Sequence, residues 1–99
     1  MGRRTRIIGP LKVYEQYASG AGFWKGDHYD KHWLIEEKAT GGKQIAVKRA
    51  WWEKIAAEAL QEGKRPLLLL RFLGPGGTLE LVCMSPEDWA REVGGSADQ

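Results

Sequence analysis

The sequence predicts a small α/β domain built on a mixed sheet. Three stretches carry that prediction: an amphipathic segment over 47–62, the apolar run "RPLLLLRFL" directly behind it, and the alternating "TLELVCM" after a "GPGG" turn. A helix with one apolar face, followed at once by a continuous apolar strand, is how a chain covers a central strand on both faces. A strand–helix–strand crossover within one sheet makes its two strands parallel. The predicted order is α-β-β-α-β-β-α, with a mixed four-stranded central sheet flanked by helices.

The elements follow in chain order. Residues 1–9 read as a basic flexible arm carrying Arg3, Arg4 and Arg6. In "GPLKVYEQYASGAG", Pro10 suits a first helical turn, and Leu11, Tyr14 and Tyr17/Ala18 recur at helical spacing. That predicts a short helix over 10–18, ended by Gly20. A Gly-rich passage with a few extended residues around Phe23 and Trp24 leads to "KHWLIEEKA", a strand over 32–39, and "TGGK" turns the chain. Over 47–62, Val47, Trp51, Trp52, Ile55, Ala56, Ala59 and Leu60 form the apolar face and Gly63 stops the helix. The strand over 66–73 and its hairpin partner follow. Ser85-Pro86-Glu87-Asp88 is a helix start with a cap, a proline in the first position and an acid closing the box, so a last helix runs over 86–93. Residues 94–99 read as a disordered tail, which leaves 10–93 as a single domain.

Size and composition narrow the class. Ninety-nine residues bury roughly 65% of their unfolded surface, enough for one self-sufficient core. The lone Cys83 excludes an internal disulfide and a cysteine-built zinc site, which suits a reducing, intracellular, cytoplasmic setting. The basic start leads into no long apolar segment, and "PLLLLRFL" is far too short to span a bilayer, so neither a signal peptide nor a membrane partner is expected.

The charges that interrupt strand 32–39 raise the chemical question. Side chains alternate along a strand, so Glu36 and Lys38 share one face and Trp33 and Ile35 the other. Asp27, behind Gly26, can bring a second carboxylate to the same place. Two carboxylates with backbone carbonyls and waters suit Mg²⁺ or Mn²⁺. Such an ion stabilises charge on a phosphodiester while Lys38 orients or deprotonates the attacking water. Glu37, between them, points the opposite way, toward the expected helices. Either the strand is near an edge, or Glu37 pairs with a basic residue, or the register is shifted by one and Glu37 becomes the ligand.

An Asp followed across a turn by E-x-K on a strand, then Thr40, a helix and an apolar strand, resembles the PD-(D/E)XK nuclease superfamily. More narrowly, "SGAGFWKGD…LIEEKATGGKQIAVKRAWWEKIAAEALQEGKRPLLLLRF" resembles the small Holliday junction resolvases of archaea and phages. The resemblance covers about residues 10–73. It implies a restriction-endonuclease-like fold and an Mg²⁺-dependent endonuclease that resolves four-way DNA junctions by paired nicks. It implies metal ligands at Asp27, Glu36 and the Glu37 backbone carbonyl, a catalytic lysine at Lys38, and a further acid on the first helix, matched by Glu15. Ser19 falls where the family places a small polar residue near the scissile phosphate. Arg3, Arg4, Arg6, Lys25, Lys43 and Lys48 become candidate phosphate contacts. Symmetric cutting of a junction by a single-site domain needs a two-fold homodimer, for which surplus tryptophans and the apolar helix are candidates.

Other chemistries are weaker on these residues. His28 and His32 are spaced i, i+4, but "GDHYDKH" lacks the helical pattern a zinc pair needs. Asp30 is the substitute for Asp27. Trp24 and Trp33 can stack on bases, although packing is the commoner use. "GPGG" lacks the Lys-Ser/Thr ending of a phosphate loop. A nicking or repair nuclease of the same superfamily, or a non-catalytic DNA-binding module, are the competing functions.

Overall fold

A computed structural model describes residues 4–15 and 26–94. The order is β1 (Thr5–Ile8), β2 (Leu11–Glu15), β3 (His28–Tyr29), β4 (Trp33–Thr40), α1 (Arg49–Glu62), β5 (Arg65–Gly74), β6 (Gly77–Cys83) and α2 (Pro86–Val93). The six strands lie in one sheet in sequence order. Every neighbouring pair is antiparallel except β4–β5, which is parallel across α1.

The expected restriction-endonuclease-like domain, a four-stranded sheet with three helices, is therefore corrected: among the described residues the fold is a six-stranded curled sheet with two helices. The expected helix over 10–18 begins instead as strand β2, and its residues 16–18, like Gly20, Phe23 and Trp24, lie outside the described residues. Leu11 and Val13 fit a period of two as well as Leu11 and Tyr14 fit a helix, and so short a run is ambiguous by periodicity. The competing signal is the β-branched "TRII" just ahead. Gly9, at φ 57°, and Pro10 then close a tight hairpin between β1 and β2. Residues 5–8 of the expected arm are thus strand β1.

The second half matches its expected elements closely. α1 ends at Gly63 in the left-handed conformation. Ser85 Oγ accepts the Asp88 N–H, 3.1 Å, and caps α2. The apolar face of α1 is narrower than expected. Ile55 and Ala59 are buried, and Trp51 and Trp52 pack against that cluster, so neither tryptophan is spare. Val47 precedes the helix and is half exposed, and Leu60 is 81% exposed. Leu60 lies about 140° round the helix from Ile55, beyond the buried stripe.

Alternation along β4 and β5 splits the core in two. Leu34 and Leu68 meet Ile55 and Ala59 on the α1 face. Trp33, Ile35, Leu67 and Leu69 meet Ile8 and Val13 on the other. That second face is the inside of the curl, as one side chain demonstrates. Arg6, on the first strand, reaches both Glu37 on β4 and Glu80 on the last strand. Arg71 on β5 completes the network, 3.2 Å from Glu37 and 2.8 Å from Glu80. His28 Nε2 lies 2.9 Å from Glu37 Oε1.

Glu37 therefore points away from α1 and pairs with basic residues, and β4 is an interior strand. Burial alone raises its pKa, but contacts from His28, Arg6 and Arg71 outweigh that and hold it below the usual Glu range. A carboxylate with a lowered folded-state pKa stabilises the fold above its unfolded pKa, and the contribution disappears as pH falls through the lowered value. Urea midpoints should thus fall on acidification, and Glu37→Gln should flatten that dependence. Glu37→Ala should cost about 2 kcal/mol at neutral pH, less than the loss for a fully buried pair because the carboxylate keeps some solvent.

Candidate active site

The β3–β4 hairpin and the turn before it carry Asp27, Glu36 and Lys38. The hairpin register pairs Tyr29 with Leu34 and His28 with Ile35, and Asp27 directly precedes the paired residues. Asp27 N–H donates to the Ile35 carbonyl, 2.7 Å. Its Oδ2 accepts the Glu37 N–H, also 2.7 Å. Gly26, at φ 69°, makes the turn that delivers Asp27. In a strand, the N–H and C=O of one residue point to the same edge. The Glu37 carbonyl therefore lies on the edge that carries Asp27.

Glu36 and Lys38 share the α1 face. Lys38 Nζ is 3.5 Å from Glu36 Oε2 and 4.7 Å from the centre of the Trp51 ring. Glu36 is mostly buried, and burial followed by the nearby Asp27 carboxylate pushes its pKa up against the opposing pull of Lys54 and Lys38. An anion close enough to raise the proton affinity of a buried carboxylate is what a divalent cation relieves. Among the described residues, no three His, Cys, Asp or Glu side chains are grouped for a metal ion. Mg²⁺ does not require three, since it is commonly bound through one or two carboxylates and keeps several waters. By chemistry, two carboxylates and a backbone carbonyl suit that donor set, while Asp27 also lines a cleft that opens away from the Glu36 side chain.

The other predicted residues scatter. Glu15 is on strand β2, not on a helix, and its register partner is His28. It lines an open cleft of about 460 Å³ together with Asp27, His28, Glu37 and Ala39, on the face opposite the Glu36 side chain. Arg4 lies 4.0 Å from Glu15. Arg6 is committed to Glu37 and Glu80, so the phosphate contact expected of it is replaced by a structural one. Lys43 and Lys48 are exposed in and at the end of the loop between β4 and α1. Lys48 Nζ sits 5.9 Å from the Trp51 ring, on the same indole that Lys38 approaches. Lys48 is also the N-cap residue of α1, whose first turn carries no acidic residue and no side-chain cap. Arg3, Ser19 and Lys25 lie outside the described residues. His32 is exposed, and Asp30 accepts the His32 and Trp33 N–H groups as a turn residue.

Two residues of α1 were missed. Lys54 Nζ lies 3.9 Å from Glu36 Oε1 and 3.2 Å from Glu58 Oε2. Glu58 Oε1 accepts the Gly26 N–H, 3.1 Å. Both read as solvated positions opposite the apolar face. The available signal was their i, i+4 spacing beside Ile55 and Ala59, at the border of the buried stripe. No family model, curated protein or solved structure matches the chain. Among the described residues, no helix is long and apolar enough to cross a membrane.

Proposed function

We propose that this chain is a metal-dependent endodeoxyribonuclease of the PD-(D/E)XK type, acting inside the cell on branched DNA and most specifically on four-way junctions. One observation carries the reading: Asp27 bonds the Ile35 carbonyl and the Glu37 N–H, the two backbone groups on either side of Glu36, with the Lys38 ammonium 3.5 Å from the Glu36 carboxylate. Asp27, Glu36 and the Glu37 carbonyl would hold Mg²⁺ or Mn²⁺. When bound, such an ion supplies charge stabilisation at the phosphate and an acidified water. Lys38 adds a positive charge beside the scissile phosphate and orients the attacking water. The water oxygen joins phosphorus, the bond from phosphorus to O3′ breaks, and the products carry 5′-phosphate and 3′-hydroxyl.

Two further features support a DNA substrate. Lys38 and Lys48 flank Trp51 at a helix N-terminus whose first-turn N–H groups lack a side-chain cap. The Trp51 N–H bonds the Lys48 carbonyl, and the positive end of the helix with two ammonium groups favours a phosphate there. Lys48→Ala should weaken DNA binding about equally for all sequences and reduce the slope of log affinity against log salt by about 1, read by fluorescence anisotropy across a salt series.

A junction has two scissile strands, so a second copy is part of the proposal. Its contact would lie at β6, where Leu79, Leu81 and Val82 are each about half exposed on an edge strand. Such edges readily pair with another chain. The deciding experiment incubates a synthetic four-way junction and a linear duplex with Mg²⁺ or with EDTA. Paired nicks near the branch point, absent with EDTA, are the expected result. Equal cutting of both substrates points to a flap or end nuclease, and binding without Mg²⁺-dependent cutting sinks the catalytic reading. Sedimentation of the free protein measures the dimer.

A further inference from the structure

We propose that Glu58 is a positioning residue that fixes the Gly26–Asp27 turn and so sets Asp27 against Glu36; this rests on the metal-site reading above. Asp27 enters the site at the end of a two-residue strand, β3, directly behind a left-handed glycine. So short a strand offers little to hold its own end. Two backbone contacts flank the aspartate instead. On one side Asp27 N–H bonds the Ile35 carbonyl of β4. On the other, Gly26 N–H bonds Glu58 Oε1 of α1.

Glu58 thereby ties the turn to the helix that covers Glu36. The tie is itself held. Lys54, one helical turn earlier, pairs with Glu58 Oε2 at 3.2 Å and reaches toward Glu36 at 3.9 Å. One i, i+4 pair on α1 therefore reaches both the turn that carries Asp27 and the strand that carries Glu36. Glu58 is four-fifths buried at its side chain, whereas Lys54 is 61% exposed. Glu58 has the more defined geometry and is the member of the pair that positions. Neither residue needs to touch the ion.

Groups that orient metal ligands without binding the metal change affinity about 10–100-fold when removed. Two substitutions separate reach from charge. Glu58→Asp keeps the charge but is one methylene too short to meet the Gly26 N–H. Glu58→Gln keeps the reach and an accepting oxygen but loses the charge. Mn²⁺ affinity of the DNA-free full chain, by calorimetry, should fall about tenfold or more in Glu58→Asp and stay within about threefold in Glu58→Gln. Hydrogen exchange at the Gly26 amide should be slow in the wild type and in Glu58→Gln, and fast in Glu58→Asp. Equal Mn²⁺ affinity in Glu58→Asp and wild type overturns the proposal, as does a loss in Glu58→Gln as large as in Glu58→Asp. An unprotected Gly26 amide in the wild type also overturns it. A wild type that binds no Mn²⁺ removes the metal-site reading and this inference together; a wild type that binds it while the variants fail to separate removes this inference alone.

Discussion

Glu36→Gln is expected to lower Mg²⁺-dependent junction cleavage by about a thousandfold, near 4 kcal/mol of lost transition-state stabilisation. Gln matches Glu in size, so the change removes one anionic ligand with little change of shape. The fold should not suffer. Burial and Asp27 raise the proton affinity of Glu36, so its ionised form costs the folded state stability at pH values above that raised pKa. A neutral amide escapes that cost, and the urea midpoint of Glu36→Gln should equal or exceed that of the wild type at neutral pH. Lost cleavage with retained stability assigns Glu36 to the chemistry. Lost stability with proportionate loss of cleavage would assign it to the fold and leave Lys38 without a reacting partner. Lys38→Ala provides the companion measurement, with cleavage expected to fall about 10²–10⁴-fold while Mn²⁺ affinity is retained.

The second large effect is on stability. Gly26→Ala should destabilise the protein by about 3 kcal/mol and weaken Mn²⁺ binding with it. A Cβ at residue 26 would stand 2.9 Å from Leu34 Cγ and 3.1 Å from the Ile35 carbonyl oxygen. Leu34 is fully buried, and β4 is paired on both sides, so neither neighbour yields easily. The left-handed backbone at φ 69° adds a penalty of about 1 kcal/mol or more for any side chain. In a domain of this size, 3 kcal/mol lowers the melting temperature by roughly 10–20 °C. Gly41→Ala is the control. It has an ordinary φ and open space at its Cβ, and should change melting by no more than about 2 °C. Equal melting of the two variants would show that the turn at Gly26 is not held as described.

Most of the second half of the fold was legible in the sequence, and the reason is local. α1 shows its period over four turns, β5 is a continuous apolar run behind it, and Ser85-Pro86 announces α2. Each signal is complete within one segment. That Glu36 and Lys38 share a face was legible because strand alternation alone decides it. The N-terminal half was not. β2 is only five residues long, too short for one period to exclude another. What makes it a strand is pairing with β1 and β3, which no window over its own residues contains. Glu37 shows the same limit in one side chain. Its need for a basic partner could be inferred from its place in an apolar strand. That the partners are Arg6 and Arg71, at positions 31 residues before and 34 after it, depends on how the sheet curls. Glu58 was missed because its contact is to a backbone N–H, which has no signature in the side-chain sequence.

The Arg6 bridge carries a consequence for how the protein is made. β1 is translated ahead of the other five strands, yet its Arg6 guanidinium waits for Glu37 and then for Glu80, 74 residues later in the chain. Until β3 and β4 emerge, β1 has only its β2 neighbour, and a lone two-stranded ribbon is marginal in water. β1 is thus fully fastened only when β6 arrives, and a nascent chain that stalls before β6 leaves the Arg6 network incomplete and the inner apolar face exposed.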